Sequence, residues 1–499
     1  MKKMLHLILL LSGFCGMAQN YSLDTSFGNN GQAIGNGLEA IDLFYINDKY
    51  ITVHSSQISR FNHNGSLDET FGSNGAIIFN SASNTYQIKS AKLLDGFIFV
   101  CGYVYVNDTS HQESFVAKIS INGIPDATFG TNGIATFLLV DDNDSSSNNE
   151  FSDILPQTDG SLLIIGTIAT NPLVVKINPS GLLDYNFNTH GYKVYSSSDT
   201  ALRCGKQILN YDDGILLINS SNYNDYEFNI ELIKINADGN YSQNFGINGI
   251  RDINIGVSPL DFRVLLSNDN LIISYSIYNG RPGNSSIGGT VRCINLTDFS
   301  NVFNYTNLNR LPYIKIDNNK LLVGDASAPF SSDVHESDFR LTKLNLDGTL
   351  DTTFNSTGIF TYNFTYTSLY PYLTSESYDS ANCFYLHENG EILIAGRTDQ
   401  RYTYYGLGMI RLIDSALNTD NFKNTKNFTV YPNPAKNTLF IKNNFDTKID
   451  RLVITDIMGR VVHTNGSFES IDMSDLQSGM YNLQIMSGKS QSVFKFVKE

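Results

Sequence analysis

Short oxygen-bearing side chains recur at a fixed distance ahead of an aromatic residue, and that spacing is where chemistry is first sought. The Phe of phrases such as "NGSLDETFGSNG" falls at Phe27, Phe71, Phe129, Phe187, Phe245, Phe303, Phe354 and Phe422. Three residues before these markers stand Asp24, Asp68, Asp126, Asp184, Ser242, Ser300, Asp351 and Thr419. Repeated calcium sites are one reading, but such sites depend on carboxylate charge, which Ser and Thr lack. A side-chain oxygen that accepts from a nearby backbone N–H tolerates all of these types, as in Asx- and ST-turns. The phrase is therefore expected to be a structural joint, its Phe filling the seam between neighbouring sheets; a repeated calcium or ligand site is the alternative.

A second register runs beside the first. Eleven residues before seven of the markers stand Arg60, Lys118, Lys176, Lys234, Arg292, Lys343 and Arg411. In the architectural reading, each aliphatic stem packs over apolar surface and each charged head pairs with a carboxylate. In the functional reading, the seven form a basic ring around a central channel, able to hold an anionic ligand. Both readings place the cation on the fourth strand of its repeat.

Other chemistry finds little support. Asp142, Asp144 and Ser146 alternate within the acidic loop 139–150, but the Gly and terminal Glu of a calcium loop are out of place. The histidines beyond the N-terminal segment (His54, His63, His111, His190, His335, His387 and His463) form no H-x-x-x-H pair, which argues against a zinc hydrolase. Cys101, Cys204, Cys293 and Cys383 share no short spacing and read as small buried hydrophobes. No nucleophile elbow or phosphate loop occurs. No catalytic residue, metal ligand or cofactor is assigned from the sequence. With 34 Lys and Arg against 49 Asp and Glu, the net charge of −15 offers no bulk basic surface for nucleic acid.

The elements that position these residues follow from the period. Successive markers lie 44, 58, 58, 58, 58, 51 and 68 residues apart, enclosing seven units. Each unit reads as four short strands, beginning with the one after the motif, as in "GIATFLLV". The second and third strands are joined by Asp95-Gly96, Asp159-Gly160, Asp213-Gly214 or Asn389-Gly390, dipeptides that accept positive φ at both positions. Seven repeats of four strands predict an all-β fold, a seven-bladed β-propeller, followed by a small C-terminal β-sandwich. A pair of smaller barrels or sandwiches is the alternative, disfavoured by the even period.

The two ends speak to the compartment. "MKKMLHLILLLSGFCGMAQN" has the basic, apolar and small-residue layout of a secretory signal, with cleavage expected after Ala18. A lipidated Cys15 is disfavoured because Phe14 stands where a small residue is wanted. No later run is long enough to span a bilayer. After Phe422 the register stops. Residues 423–427 read as a linker, and alternating strands split by Gly turns follow. There "YPNPAKNTL", "DIMGRVV", "DLQSGMYNLQI" and "FKFVKE" resemble the type A C-terminal sorting domain of the type IX secretion system of Bacteroidetes. That resemblance covers 428–499 and implies passage through the periplasm and recognition by the outer-membrane translocon. The phrase "SLDETFGSNG" with its following hairpins is similar to the delta-60 repeat family over 21–422, which implies a propeller and no general activity.

The expected organisation is a signal peptide at 1–18, a propeller at 19–422, a linker at 423–427 and a sorting domain at 428–499. The expected function is a secreted or cell-surface binding or adhesion module with a glycan or protein ligand. The longest departures from the repeat, at 139–150, 219–228, 278–289, 325–338 and 362–381, are its expected binding loops. A polysaccharide-active enzyme with carboxylates on one propeller face is the alternative.

Overall fold

The computed structural model describes residues 20–36, 39–106, 111–140, 149–196, 202–224, 227–255, 262–277, 288–309, 312–328, 337–364, 379–400, 404–414, 428–443, 449–456, 460–464, 469–487 and 490–499. These are all-β, and they divide into two compact units, 1–412 and 413–499. The signal-like segment, Asp142, Asp144 and Ser146 of the acidic loop, the linker, Thr419 and Phe422 lie outside the described residues.

Seven antiparallel sheets make up the described part of the first unit. The first comprises Asp42–Ile46, Lys49–Val53, Gln57–Asn62 and Ala76–Ile78, and the second Asn84–Leu94, Phe97–Val106, His111–Ser120 and Ile134–Phe137. The third comprises Asn149–Pro156, Leu162–Ile168, Asn171–Ile177 and Tyr192–Val194, and the fourth Leu202–Tyr211, Gly214–Asn224, Glu227–Ile235 and Ile250–Asn254. The fifth comprises Phe262–Ser267, Asn270–Ile277, Gly288–Asn295 and Asn301–Leu308, and the sixth Tyr313–Asp317, Lys320–Ala326, Phe339–Asn345 and Ile359–Tyr362. The seventh joins Ser380–Leu386, Ile392–Gln400 and Tyr404–Asp414 to the N-terminal strands Tyr21–Leu23 and Gln32–Asn36, both beside Tyr404–Asp414. The first strand of each sheet touches the first strand of the next, and that of the seventh touches that of the first.

Apolar sequence makes these sheets stack. Leu162–Ile168 is buried at every position, because its sheet is covered on both faces by neighbours. Each fully buried Leu or Ile there contributes roughly 2 kcal/mol.

The phase of the repeat differs from the sequence expectation. The short strand after each motif pairs back with the strand before it, as in Ile134↔Ala117, and so ends the preceding sheet. The motif is thus the connection between third and fourth strands, and the cations lie on the third strand, not the fourth. The turn dipeptides correspondingly join first to second strands. Positive φ at both turn positions occurs at Asp95-Gly96, and also at Asn47-Asp48 and Asn318-Asn319, which the sequence did not single out. The fourth sheet turns at Asp212-Asp213 rather than at Asp213-Gly214, since Gly214 already pairs with Tyr211.

In the second unit, Phe428–Tyr431, Thr438–Asn443 and Ser470–Asp472 form one sheet. Val461–Thr464, Arg451–Asp456, Gly479–Ser487 and Ser490–Lys498 form another, and one apolar cluster draws Leu439, Ile471, Leu452, Leu483 and Phe496 from both.

Candidate functional site

The recurrent phrases build the seams between sheets. Phe27, Phe71, Phe129, Phe187, Phe245, Phe303 and Phe354 are all buried. Each belongs to an apolar cluster shared by two successive sheets: Phe71 joins Ile51 and Ile58 of the first to Ile98 and Val100 of the second, and Phe187 joins Leu163 and Val174 to Leu217 and Ile233. Phe27 does the same for the first and seventh sheets, beside Tyr50 and Leu407. Phe303 departs from the others in standing inside a strand, opposite Cys293.

The oxygen three residues earlier serves the turn. Asp68 Oδ1 accepts from the Thr70 N–H at 3.2 Å and the Thr70 hydroxyl at 2.6 Å, and the Phe71 N–H donates to the Asp68 carbonyl at 3.0 Å. Asp24, Asp126, Asp184 and Asp351 accept in the same way from Ser26, Thr128, Asn186 and Thr353.

The other oxygen of these carboxylates meets the basic register. Arg60 Nε donates to Asp68 at 2.8 Å, Arg411 Nε to Asp24 at 2.8 Å, and Lys118 and Lys176 lie 2.7 and 3.3 Å from Asp126 and Asp184. Where the motif carries Ser the cation turns elsewhere: Lys234 to Asp212 and Asp213, and Arg292 to Asn301 and the Asn254 carbonyl. Lys343 pairs with Asp317, while Asp351 takes Lys320. The hydrogen bond from Lys118, then those from Thr128, hold Asp126 down at about 2. Burial pushes Asp68 upward, yet bonds from Thr70 and Lys49 and the Arg60 charge outweigh it and leave it at about 2. None of the seven register cations lines the cavity described below.

The histidine reading missed one association. His63 and His387, far apart in sequence, meet with ring centroids 6.0 Å apart, between Tyr45, Tyr50 and Arg411. Burial, then the neighbouring His63 and Arg411, push the His387 imidazole down to about 4. Among the described residues, no group of His, Cys, Asp and Glu could hold a metal ion. Cys101, Cys293 and Cys383 are buried free thiols, whereas Cys204 is only half-buried.

A different set of charges converges on the first strands. A cavity of about 300 Å³ is lined by Asp42 of the first sheet, Lys89 and Lys92 of the second, Glu150 and Asp153 of the third, Lys206 of the fourth and Arg263 of the fifth. Lys315 on the sixth sheet's first strand lies close enough to act on Asp42. Three of these first strands carry a bulge: pairing skips Lys89 between Ile88 and Ser90, Ser152 between Phe151 and Asp153, and Lys206 between Gly205 and Gln207. A bulge leaves its extra residue out of the ladder and re-aims it, and all three extra residues line the cavity. Opposite the first bulge stands Gly102, where a Cβ would lie 1.8 Å from the Gln87 carbonyl oxygen.

The charges there are unevenly matched. Lys92 lies 2.8 Å from Asp153, whose oxygens also accept from the Ser90 hydroxyl at 2.7 Å and the Ile208 N–H at 3.3 Å. Lys89 lies 4.0 Å from Glu150. Lys206, Arg263 and Lys315 make no ion pair among the described residues, and Arg263 and Lys315 lie over the rings of Tyr313 and Tyr385 at 5.0 and 5.2 Å. Burial raises the Asp42 carboxyl above its ordinary range despite Lys92, Arg263 and Lys315 nearby, and lowers the Lys315 ammonium. Nothing local in the sequence marks this set beyond the cations that the first strands carry among apolar residues: Lys89 and Lys92, Lys206, Arg263 and Lys315.

Comparison with known proteins bears on both units. Residues 429–499 match the secretion system C-terminal sorting domain, and residues 157–187 and 329–354 match a domain of unknown function, DUF5122, described as a beta-propeller. No curated protein matches the chain. Among solved structures, the extracellular domain of a protein assigned as a hybrid two component system of B. thetaiotaomicron is 12% identical, with a TM-score of 0.39 over 97% of this chain and 59% of that one. This chain thus spans less than two thirds of that protein's length. The WD40 domain of Neurospora crassa Pan2 is 8% identical, with a TM-score of 0.39 over 74% of this chain and 89% of that one. The chain carries a type IX secretion sorting domain behind a β-propeller unit, and its place is outside the cell or on the cell surface.

Proposed function

We propose that the protein is a seven-bladed β-propeller at residues 19–422 that binds a ligand without transforming it, carried outward by a sandwich-like sorting domain at 428–499 after removal of a signal peptide at 1–18. The recurrent phrases, from Asp24 and Phe27 to Asp351 and Phe354, are joints of this scaffold, and the basic register from Arg60 to Arg411 belongs to the same joints. The translocon is the partner of 428–499, and the propeller's ligand is a glycan or a protein.

One observation carries the binding reading: successive first strands meet in a closed order, and the cavity they line holds charges that packing does not require. Antiparallel strand order supports it further. All five long departures from the repeat are connections from second to third strands or from fourth strands to the next sheet, so their flanking strands end on one side of the sheets. The turns between first and second strands and the joints between third and fourth occupy the opposite side. A non-catalytic role fits the carboxylates: Asp153 is saturated by Lys92, Ser90 and Ile208, and Glu150 faces Lys89. A glycosidase needs two carboxyl groups free to act on one bond.

The test is a glycan-array screen of the full chain, with a polysaccharide-hydrolysis panel on the same preparation. Saturable binding without product release is expected. Release of reducing ends, abolished by Asp153→Asn or Glu150→Gln, would replace this reading with the enzyme.

A further inference from the structure

The geometry points to the cavity between the first strands as a site for a small molecule bearing an oxyanion, held by Arg263 and Lys206. This rests on the binding reading above and names its ligand class.

Four cations line the cavity against three carboxylates. Two of the carboxylates are already occupied, Asp153 by Lys92 and Glu150 by Lys89. That leaves Lys206 and Arg263 in the same cavity as Asp42, whose carboxylate accepts the Leu43 N–H at 2.9 Å. The chain as a whole carries net −15, so unmatched positive charge at a shared internal space runs against its composition. Low-dielectric walls concentrate such a field on whatever enters.

The cations are also held in place. Gln207, next to Lys206, clamps the strand of Arg263 through both its amide atoms: the Val264 N–H donates to Oε1 at 2.6 Å, and Nε2 donates to the Val264 carbonyl at 3.2 Å. Arg263 Cζ lies 5.0 Å from the Tyr313 ring centroid, and a guanidinium packed on an aromatic ring can still offer its N–H groups to a bidentate oxyanion. Lys206 reaches the cavity as the extra residue of a bulge, and this bulge costs ladder pairing that a regular strand would keep. A space of about 300 Å³ is at the small end of ligand sites and suits a molecule of monosaccharide size.

Isothermal titration of the full chain at low ionic strength tests this, with D-glucuronate, inorganic sulfate and D-glucose as probes. Glucuronate is expected to bind with one-to-one stoichiometry and glucose not at all; sulfate competing for the site separates the bare oxyanion from its sugar. Arg263→Gln and Lys206→Gln are each expected to weaken glucuronate at least about tenfold, the loss of one charged hydrogen bond. Lys436→Gln in the second unit should change nothing. Thermal melts accompany each variant, and Lys206→Gln, half-exposed, serves if Arg263→Gln misfolds. Equal affinity for glucuronate and glucose, or anion binding untouched by both variants, overturns the inference. If no anion binds while the array detects a neutral glycan, the binding module stands and this site falls; if neither binds, both fall.

Discussion

Arg411 Nε donates to Asp24 Oδ2 at 2.8 Å across 387 residues of chain. The pair sits where the N-terminal strands complete the sheet of the last described strand in the first unit, and the Asp24 N–H also donates to the Arg411 carbonyl at 2.8 Å. Arg411 further reaches Tyr50 and the His63 carbonyl, so one guanidinium ties the first and seventh sheets together.

Asp24→Ala leaves that guanidinium buried with its carboxylate gone. Removing one partner of a buried pair is strongly destabilising, here by about 3 kcal/mol. Urea denaturation should show an earlier midpoint, and an unchanged midpoint would mean that the closure does not depend on this pair.

Gly65 separates packing from backbone strain. It has φ +84°, and a Cβ there would stand 2.8 Å from the ring of Phe27, whereas at Gly96, with φ +77°, a Cβ meets nothing within 4 Å. Both Gly→Ala changes incur about 1–2 kcal/mol of left-handed strain. Gly65→Ala should lose clearly more than Gly96→Ala in parallel thermal melts; equal losses would argue against tight phrase-to-phrase packing.

Acid should loosen the seams in a defined window. Asp68 and Asp126 sit at about 2, below the 3.8 of a free carboxyl, because charge and hydrogen bonds favour their ionised forms. A depressed carboxylate stabilises the fold above its unfolded value, and that contribution disappears as pH falls through the folded value. Melting temperature is expected to fall between pH about 4 and 2. Asp126→Asn should melt below the parent at pH 7 and converge on it near pH 2.

Asp42 has the opposite sign. Burial raises its carboxyl above 3.8, so its contribution is favourable when protonated and is lost as pH rises through the raised value. Asp42→Asn is expected to melt higher than the parent at pH 7, with the difference vanishing below pH about 4. A destabilised Asp42→Asn at neutral pH would show that Lys92, Arg263 and Lys315 need this charge more than burial opposes it.

Much of the scaffold is legible along the chain, because its devices are short. An oxygen, a hydroxyl two residues on and a Phe three residues on form one turn, as Asp68, Thr70 and Phe71 do, and the partner cation Arg60 is the residue eight positions before that Asp. The phase of the repeat was misjudged because the short strand after the motif looks alike whether it begins a sheet or ends one. Only hydrogen bonding, Ile134 to Ala117, settles which sheet it joins.

The sequence alone determined the seven-fold recurrence, the all-β character and the sorting domain, since each rests on contacts within a dozen residues or on a contiguous pattern. The tertiary structure alone decided which cations face a common space. Lys89, Lys206 and Arg263 come from strands more than fifty residues apart, and in two of them a one-residue bulge overrides the alternation that would otherwise place the side chain. The register cations, conspicuous in the sequence, went instead, Arg292 excepted, to nearby carboxylates, because a charge entering a low-dielectric interior is stabilised there by its closest counter-ion.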